Sequence, residues 1–439
     1  MAEQMFFRHA LLPDGWAQNV RVAIKEGIIT GVETGVSAPQ RGRIALPGMP
    51  NLHSHAFQRG IAGLTEHRGG GGTESFWTWR DVMYRFALRM SPEDVEIVAT
   101  QAFIEMLEGG FTAVAEFHYL HHAPDGTQYA DIAEMAARIG AAAQATGIDL
   151  LLLPVFYAHA GFGGKPPAPA QRRFINNLDS YNRIYERCGE ISAAGIAPHS
   201  LRAVTPDELA ALTTLAGAQT KLHIHISEQT AEVDECLAWS GARPIAWLLD
   251  HAPVDKNWCL VHATHADAAE RAGMLASNAV VGLCPITEAN LGDGIFPAHR
   301  YAGPIGIGSD SNVLIGVAEE LRMLEYSLRL AARQRNVLAT SSIHDTATAM
   351  FLKAVSGGAQ AMGIAGGMAG GISPGAPASF FTLEGENPEI ALAQAVFSAR
   401  SPQVKDVWVR GRQCIADGRH RLAGSAREKF DAVVQKLLE

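Results

Sequence analysis

Paired histidines are the first residues in this chain whose type and spacing could do chemistry. His53-Ser54-His55 places two imidazoles two residues apart. Side chains alternate faces along a strand, so both rings would point the same way and could grip one cation. His223-Ile224-His225 repeats the spacing, His262 ends the apolar run that begins at Trp258, and Asp310 ends the segment that begins at Pro304. Any one of these is as well explained by a hydrogen-bonded core histidine or a solvated aspartate. Together they lie at the C-terminal ends of predicted parallel strands, where barrel enzymes place their chemistry. Imidazole and carboxylate donors without thiolate suit zinc or iron(II) in an open catalytic site.

The elements that must position these groups follow from the alternation of strand and helix signals in the middle of the chain. Strands are expected ahead of His53 and at about 111–117, 148–155, 196–203, 221–226, 257–262, 279–284 and 304–308. Eight strands separated by helices predict a TIM-type (β/α)8 barrel. Ser91-Pro92-Glu93-Asp94 and Thr205-Pro206-Asp207-Glu208 read as helix starts, with a capping side chain, a proline and first-turn acids. A further helix is expected over 128–146. Both ends read as hairpins: Val20–Ile24 and Ile28–Val32 around Lys25-Glu26-Gly27, then 379–383 and 407–415 with a turn at Gly411. They predict a small β-sandwich domain of residues 1–47 plus 376–439 wrapped around a barrel of residues 48–375. The glycine run after Arg68 and the aromatic segment to Arg80 read equally as a linker followed by a helix that packs its tryptophans or as a lid over residues 68–80 that closes on the barrel mouth.

Composition removes several classes. With 36 basic and 45 acidic residues the formal charge is −9, which disfavours nucleic acid and anionic membrane as partners. No run of about 18 apolar residues predicts a membrane span, and the start of the chain has no signal-peptide pattern. The 5 cysteines are odd in number and form no C-x-x-C pair, as expected of reduced thiols in a cytoplasmic protein. The H-x-E and P-C-x-x-C motifs of the zinc nucleobase deaminases are absent.

In order and spacing, His53-Ser54-His55, His225, His262 and Ser309-Asp310 resemble the amidohydrolase superfamily over nearly the whole chain. The resemblance to its mononuclear deaminase branch implies one divalent metal, zinc or iron(II), held by His53, His55, His225 and Asp310. It selects His225 over His223 because His225-Ile226-Ser227-Glu228 puts the ligand three residues before the branch's catalytic glutamate. The binuclear branch fits poorly, since no lysine lies in the 196–203 segment. A homodimer is also implied.

Deamination of an imine-like carbon needs hydroxide at neutral pH and a proton for the departing nitrogen. Asp310 can take the proton of water, Glu228 can shuttle it, and His262 can stabilise the developing charge. Arg202 at the end of the fourth strand and Arg80 in the lid can fork onto carboxylates. With Tyr119 and His199 they suggest a small dianionic substrate, and the resemblance implies that Gln58, just after the metal pair, helps hold it. The stretches Leu46–Gln58 and Cys284–Gly294 are similar to the branch that acts on N-formimino-L-glutamate in histidine degradation, although Thr287-Glu288-Ala289-Asn290 stands where related aminohydrolases carry a C-P-x-S-N-like pattern. That similarity implies hydrolysis to N-formyl-L-glutamate and ammonia. The alternatives are an aminohydrolase of guanine, a modified adenosine or a related heterocycle and, more remotely, a non-catalytic barrel scaffold.

Overall fold

A computed structural model describes residues 3–37, 43–66, 76–366, 371–399 and 404–439, without the side chains of 76–78. Eight parallel strands form the barrel, numbered here along it: β1 (Met49–Ser54), β2 (Phe111–His118), β3 (Asp149–Phe156), β4 (Ala197–Pro198), β5 (Leu222–Ile226), β6 (Trp258–His262), β7 (Val280–Leu283) and β8 (Ile305–Ile307). Hydrogen-bonded ladders join β1 through β4 and, separately, β5 through β8. Single parallel bridges complete the ring: Ile196 and Ser200 pair with Leu222 and His225, and Ser54 pairs with Asp310. The seam between β1 and β8 is therefore closed by the loop that carries Asp310.

Local sequence accounts for the elements that set the strand ends. The helix Pro92–Glu108 starts in a capping box between Ser91 and Asp94, and Pro206–Leu215 starts in one between Thr205 and Glu208. The interior of the barrel is small and apolar, with Leu52, Cys259, Val261, Val280 and Cys284 packed together. Two expectations shift. The helix sought over 128–146 begins only at Glu134, because Asp131 accepts the Ala133 and Glu134 amides in a turn that precedes it. The strand sought over 196–203 shrinks to two residues: Pro198 has no amide to donate, and the Ala203 amide turns back onto the Ser200 carbonyl.

Strands from both chain ends form one eight-stranded sheet, in the order Arg419–His420, Arg412–Ala416, Val407–Val409, Phe380–Leu383, Ile44–Pro47, Glu3–Leu12, Gly15–Lys25, Ile28–Glu33. Phe7, Val20, Val22, Phe380 and Trp408 pack on its inner side. Gly48 is the joint between this sheet and β1. A Cβ there would lie 2.1 Å from Thr112 Oγ1, so only glycine lets the backbone pass. The last helix, Ala423–Leu438, returns to the barrel, where Lys436 Nζ lies 2.8 Å from Asp94 Oδ2. All five cysteines are free thiols. Among the described residues no helix is long and apolar enough to cross a membrane.

Candidate active site

At the C-terminal mouth of the barrel, β1, β5 and the turn after β8 bring His53, His55, His225 and Asp310 together, each buried and with donor atoms within 4.8 Å of one another. His55 Nδ1 is 2.8 Å from the Phe117 carbonyl and His225 Nδ1 is 3.0 Å from the His199 carbonyl. Those carbonyls fix the proton on Nδ1 of both rings and turn the Nε2 lone pairs inward. His53 Nε2 then lies 2.9 Å from His225 Nε2, and Asp310 Oδ1 lies 3.3 Å from His55 Nε2 and 3.5 Å from His53 Nε2. Burial holds all three imidazoles below their ordinary value, His53 and His225 well below it. Neutral lone pairs facing a carboxylate oxygen, with no protons fixed between them, are a donor set that fits one divalent cation. His223, one turn of the pleat earlier, instead sets Nε2 3.0 Å from the Ala361 carbonyl.

The Asp310 turn is held by a buried amide network. Asn51 donates to Ser309 Oγ at 2.7 Å, Ser309 donates to Asn312 Oδ1 at 2.6 Å, and Asn312 donates to the His55 and Asp310 carbonyls at 3.1 and 3.0 Å. Asp310, His262 and Ser227 all take left-handed backbone angles, with φ of 46°, 68° and 51°. Non-glycine residues adopt that region at a cost, and clustering of such residues is common where side chains must be aimed at a site. Below the pair on β1, the Glu116 carboxyl accepts the Ala56 amide at 2.6 Å and is pushed up to about 8 by burial, which anchors the chain as it leaves His55.

A second set of groups faces the cation site. His262 Nε2 lies 3.9 Å from Glu228 Oε1 and 3.8 Å from Asp310 Oδ2, while Nδ1 is 3.2 Å from Glu288 Oε1. Burial opposes a charged ring, yet Glu228, Glu288 and Asp310 outweigh it and raise His262 to about 10. Burial also raises Glu228, although His262 and Arg202 pull the other way. Arg202 Nη2 is 3.9 Å from Glu228 Oε2. His262, Cys284 and Asp310 also have donor atoms within 4.8 Å of one another, and the Cys284 side chain packs in the apolar barrel interior.

His55, His225, Glu228, His262 and Asp310 line a cavity of about 180 Å³ together with Gln58, Arg80, Tyr119, His199 and Arg202. Gln58 Nε2 donates to Tyr119 Oη at 2.6 Å, and the His199 ring packs 4.6 Å from that of Tyr157. Arg80 lies over the Tyr84 ring at 5.4 Å. The structure thus gathers His55, His225, Asp310, Glu228, His262, Gln58, Arg80, Tyr119, His199 and Arg202 around one cavity, with His53 just behind its surface and His223 outside it. The glycine-rich part of the expected lid lies outside the described residues, whereas Trp79 and Arg80 line the cavity wall.

Sequence reasoning passed over several neighbours. Tyr84, Tyr157 and Lys165 share the wall, and Gln171 donates to Tyr157 Oη at 2.7 Å. Glu288 orients His262, and Glu232 accepts the Ser227 and Glu228 amides. Both glutamates sit in the first turn of a helix that follows a barrel strand; that position is the only signal for Glu232, whereas Glu288 also stands where this sequence departs from the related aminohydrolases.

Residues 44–414 match the group described as "Amidohydrolase family", and residues 3–42 match "Formimidoylglutamate deiminase HutF, N-terminal domain". A formimidoylglutamate deiminase of Pseudomonas aeruginosa is 48% identical to this chain, over 99% of each protein. The crystal structure of an amidohydrolase from Brucella melitensis is similar at 50% identity and a TM-score of 0.95, with 100% of both chains covered. A zinc-bound adenosine deaminase from Xanthomonas campestris shares the fold at 21% identity and a TM-score of 0.79, over 99% of this chain and 98% of that one.

Proposed function

The chain belongs to the amidohydrolase family, and from that premise we propose that it is a formimidoylglutamate deiminase, hydrolysing N-formimino-L-glutamate to N-formyl-L-glutamate and ammonia. The observation that carries this reading is the meeting, in one small cavity, of a three-histidine and one-aspartate floor with a wall that bears two guanidinium groups. The full-length similarity to a formimidoylglutamate deiminase supports the same substrate.

His53, His55, His225 and Asp310 would hold a divalent cation, read here as zinc from a donor set of imidazoles and one carboxylate. When bound, such an ion lowers the pKa of water to about 7 and so makes a nucleophile available at neutral pH. The remaining work falls to the chain. Asp310 Oδ2 faces away from the imidazole floor toward His262, where it can take a proton from the attacking water. Glu228 Oε1, across from His262 Nε2, gives its proton to the amidine nitrogen as the C–O bond forms. Asp310 then returns the proton taken from water to the same nitrogen as its C–N bond breaks, and the hydroxyl proton goes back to Glu228. The His262 imidazolium, braced from behind by Glu288, directs its Nε2 proton at the negative charge that grows on the oxygen bonded to the reacting carbon.

Arg80 and Arg202 would anchor the two substrate carboxylates, while Gln58, Tyr119 and His199 hold its backbone. Burial pushes the Tyr119 phenol well above its ordinary value, so it serves as a neutral hydrogen-bonding group. The accompanying organisation is a small β domain of residues 1–47 with 376–439 and a barrel of residues 48–375, acting as a cytoplasmic homodimer in histidine degradation. The test is ammonia release by zinc-reconstituted protein from N-formimino-L-glutamate beside guanine and 5′-methylthioadenosine. Turnover confined to the purines would refute the reading.

A further inference from the structure

Glu232 has no part in the roles above, yet it is 1% exposed and reaches from the first turn of the helix Thr230–Ser240 back toward the end of β5. Its two oxygens accept consecutive amides, Oε1 that of Ser227 and Oε2 that of Glu228, both at 3.1 Å. First-turn glutamates ordinarily stay in water and interact with their own helix end. This one instead holds the peptides on either side of Ser227, whose φ of 51° is an unfavoured angle for serine and needs support from its surroundings. Fixing those two peptides fixes the Cα of Glu228 and the direction of its side chain.

The same carboxylate acts on Arg202. Burial disfavours the guanidinium charge, and Glu232 and then Glu228 offset it and keep Arg202 above its ordinary value. One buried acid therefore touches the backbone of the proton carrier and balances the charge of the substrate anchor.

We propose that Glu232 is a positioning residue: it clamps the turn that presents Glu228, and its buried charge, held against the Glu228 backbone behind the cavity wall, opposes a substrate carboxylate arriving at Arg202. This rests on the function proposed above. In Glu232→Gln one amide N–H would face the NH2 group of the new side chain, and the charge competing for Arg202 would be gone. The two effects have opposite signs in the assay, which a general loss of structure would not produce.

The experiment measures kcat and KM for N-formimino-L-glutamate and the inhibition constant of glutarate, a dicarboxylate that cannot react. For Glu232→Gln, kcat should fall on the order of 10- to 100-fold, the size expected for a misplaced reacting group, while glutarate binds several-fold more tightly. Glu232→Asp keeps the charge but is too short to reach both amides. It should lose kcat without gaining glutarate affinity, and it serves as the test if the glutamine variant does not fold. A kcat within twofold of wild type in either variant, or weaker glutarate binding by Glu232→Gln, would overturn the proposal. Wild-type protein inactive on N-formimino-L-glutamate would refute the function reading instead; the variants are then compared on whichever amidine the wild type does hydrolyse.

Discussion

Replacing Arg202 by alanine is the substitution whose consequence follows most directly from the geometry. The guanidinium is 11% exposed and lies 3.9 Å from a Glu228 carboxylate that is 7% exposed. A substrate carboxylate on this guanidinium is a desolvated charge pair, and truncating one partner of such a pair typically costs about 2–5 kcal/mol of binding, because the other charge is left unpaired. The cavity opens to solvent, so the lower half of that range applies, about 3 kcal/mol, which corresponds to roughly 100-fold at about 1.4 kcal/mol per factor of ten. The loss falls on association, because Glu228 and Glu232 would then repel an arriving carboxylate that Arg202 otherwise attracts. In a coupled ammonia assay, Arg202→Ala should therefore raise KM for N-formimino-L-glutamate roughly 100-fold with a smaller change in kcat. Arg202→Lys should recover only part of this, since a point charge cannot fork onto a carboxylate. A kcat/KM within threefold of wild type, or a loss wholly in kcat, would remove Arg202 from the anchor role.

Other consequences can be checked independently. Glu228→Gln should keep a full complement of metal by elemental analysis and lose about 10²- to 10⁴-fold in kcat, the usual worth of a positioned proton carrier. Gly48→Ala should destabilise the fold by about 1–3 kcal/mol in urea unfolding, because its Cβ meets Thr112 Oγ1 and Cβ at 2.1 and 2.7 Å, and Thr112→Gly in the same chain should restore stability. Asp94 resists burial through Lys436 and Ser91, which together lower its carboxyl below the ordinary 3.8. A depressed acid stabilises the folded state above its ordinary value and ceases to do so as pH falls through the lowered one. Thermal midpoints of wild type and Asp94→Asn should accordingly differ at pH 7 and converge below that value.

How much of this was legible in the sequence depended on whether a role leaves a local pattern. The His53-Ser54-His55 pair, the strand ends at His225, His262 and Asp310, and the two capped helix starts announce themselves through spacing alone. Arg80 and Arg202 could be singled out by their predicted positions, but only the closed barrel puts them on one wall. Glu232 and Glu288 look like any first-turn acid, and what distinguishes them is a side chain turned back toward the strand end, which is a tertiary fact. The fourth strand was overextended because Ala197–Pro198 makes so few ladder bonds that only its bridges at Ile196 and Ser200 keep it in the barrel.

The amidine carbon of N-formimino-L-glutamate carries two C–N bonds, and the central claim concerns which of them breaks. Carbon-13 NMR of substrate labelled at that carbon, turned over by zinc-loaded protein, reports this directly. With Arg80 and Arg202 gripping the glutamate part and Glu228 protonating the far nitrogen, the label should appear as N-formyl-L-glutamate with one ammonia per turnover. Label recovered as formamide, with free glutamate beside it, would contradict the account.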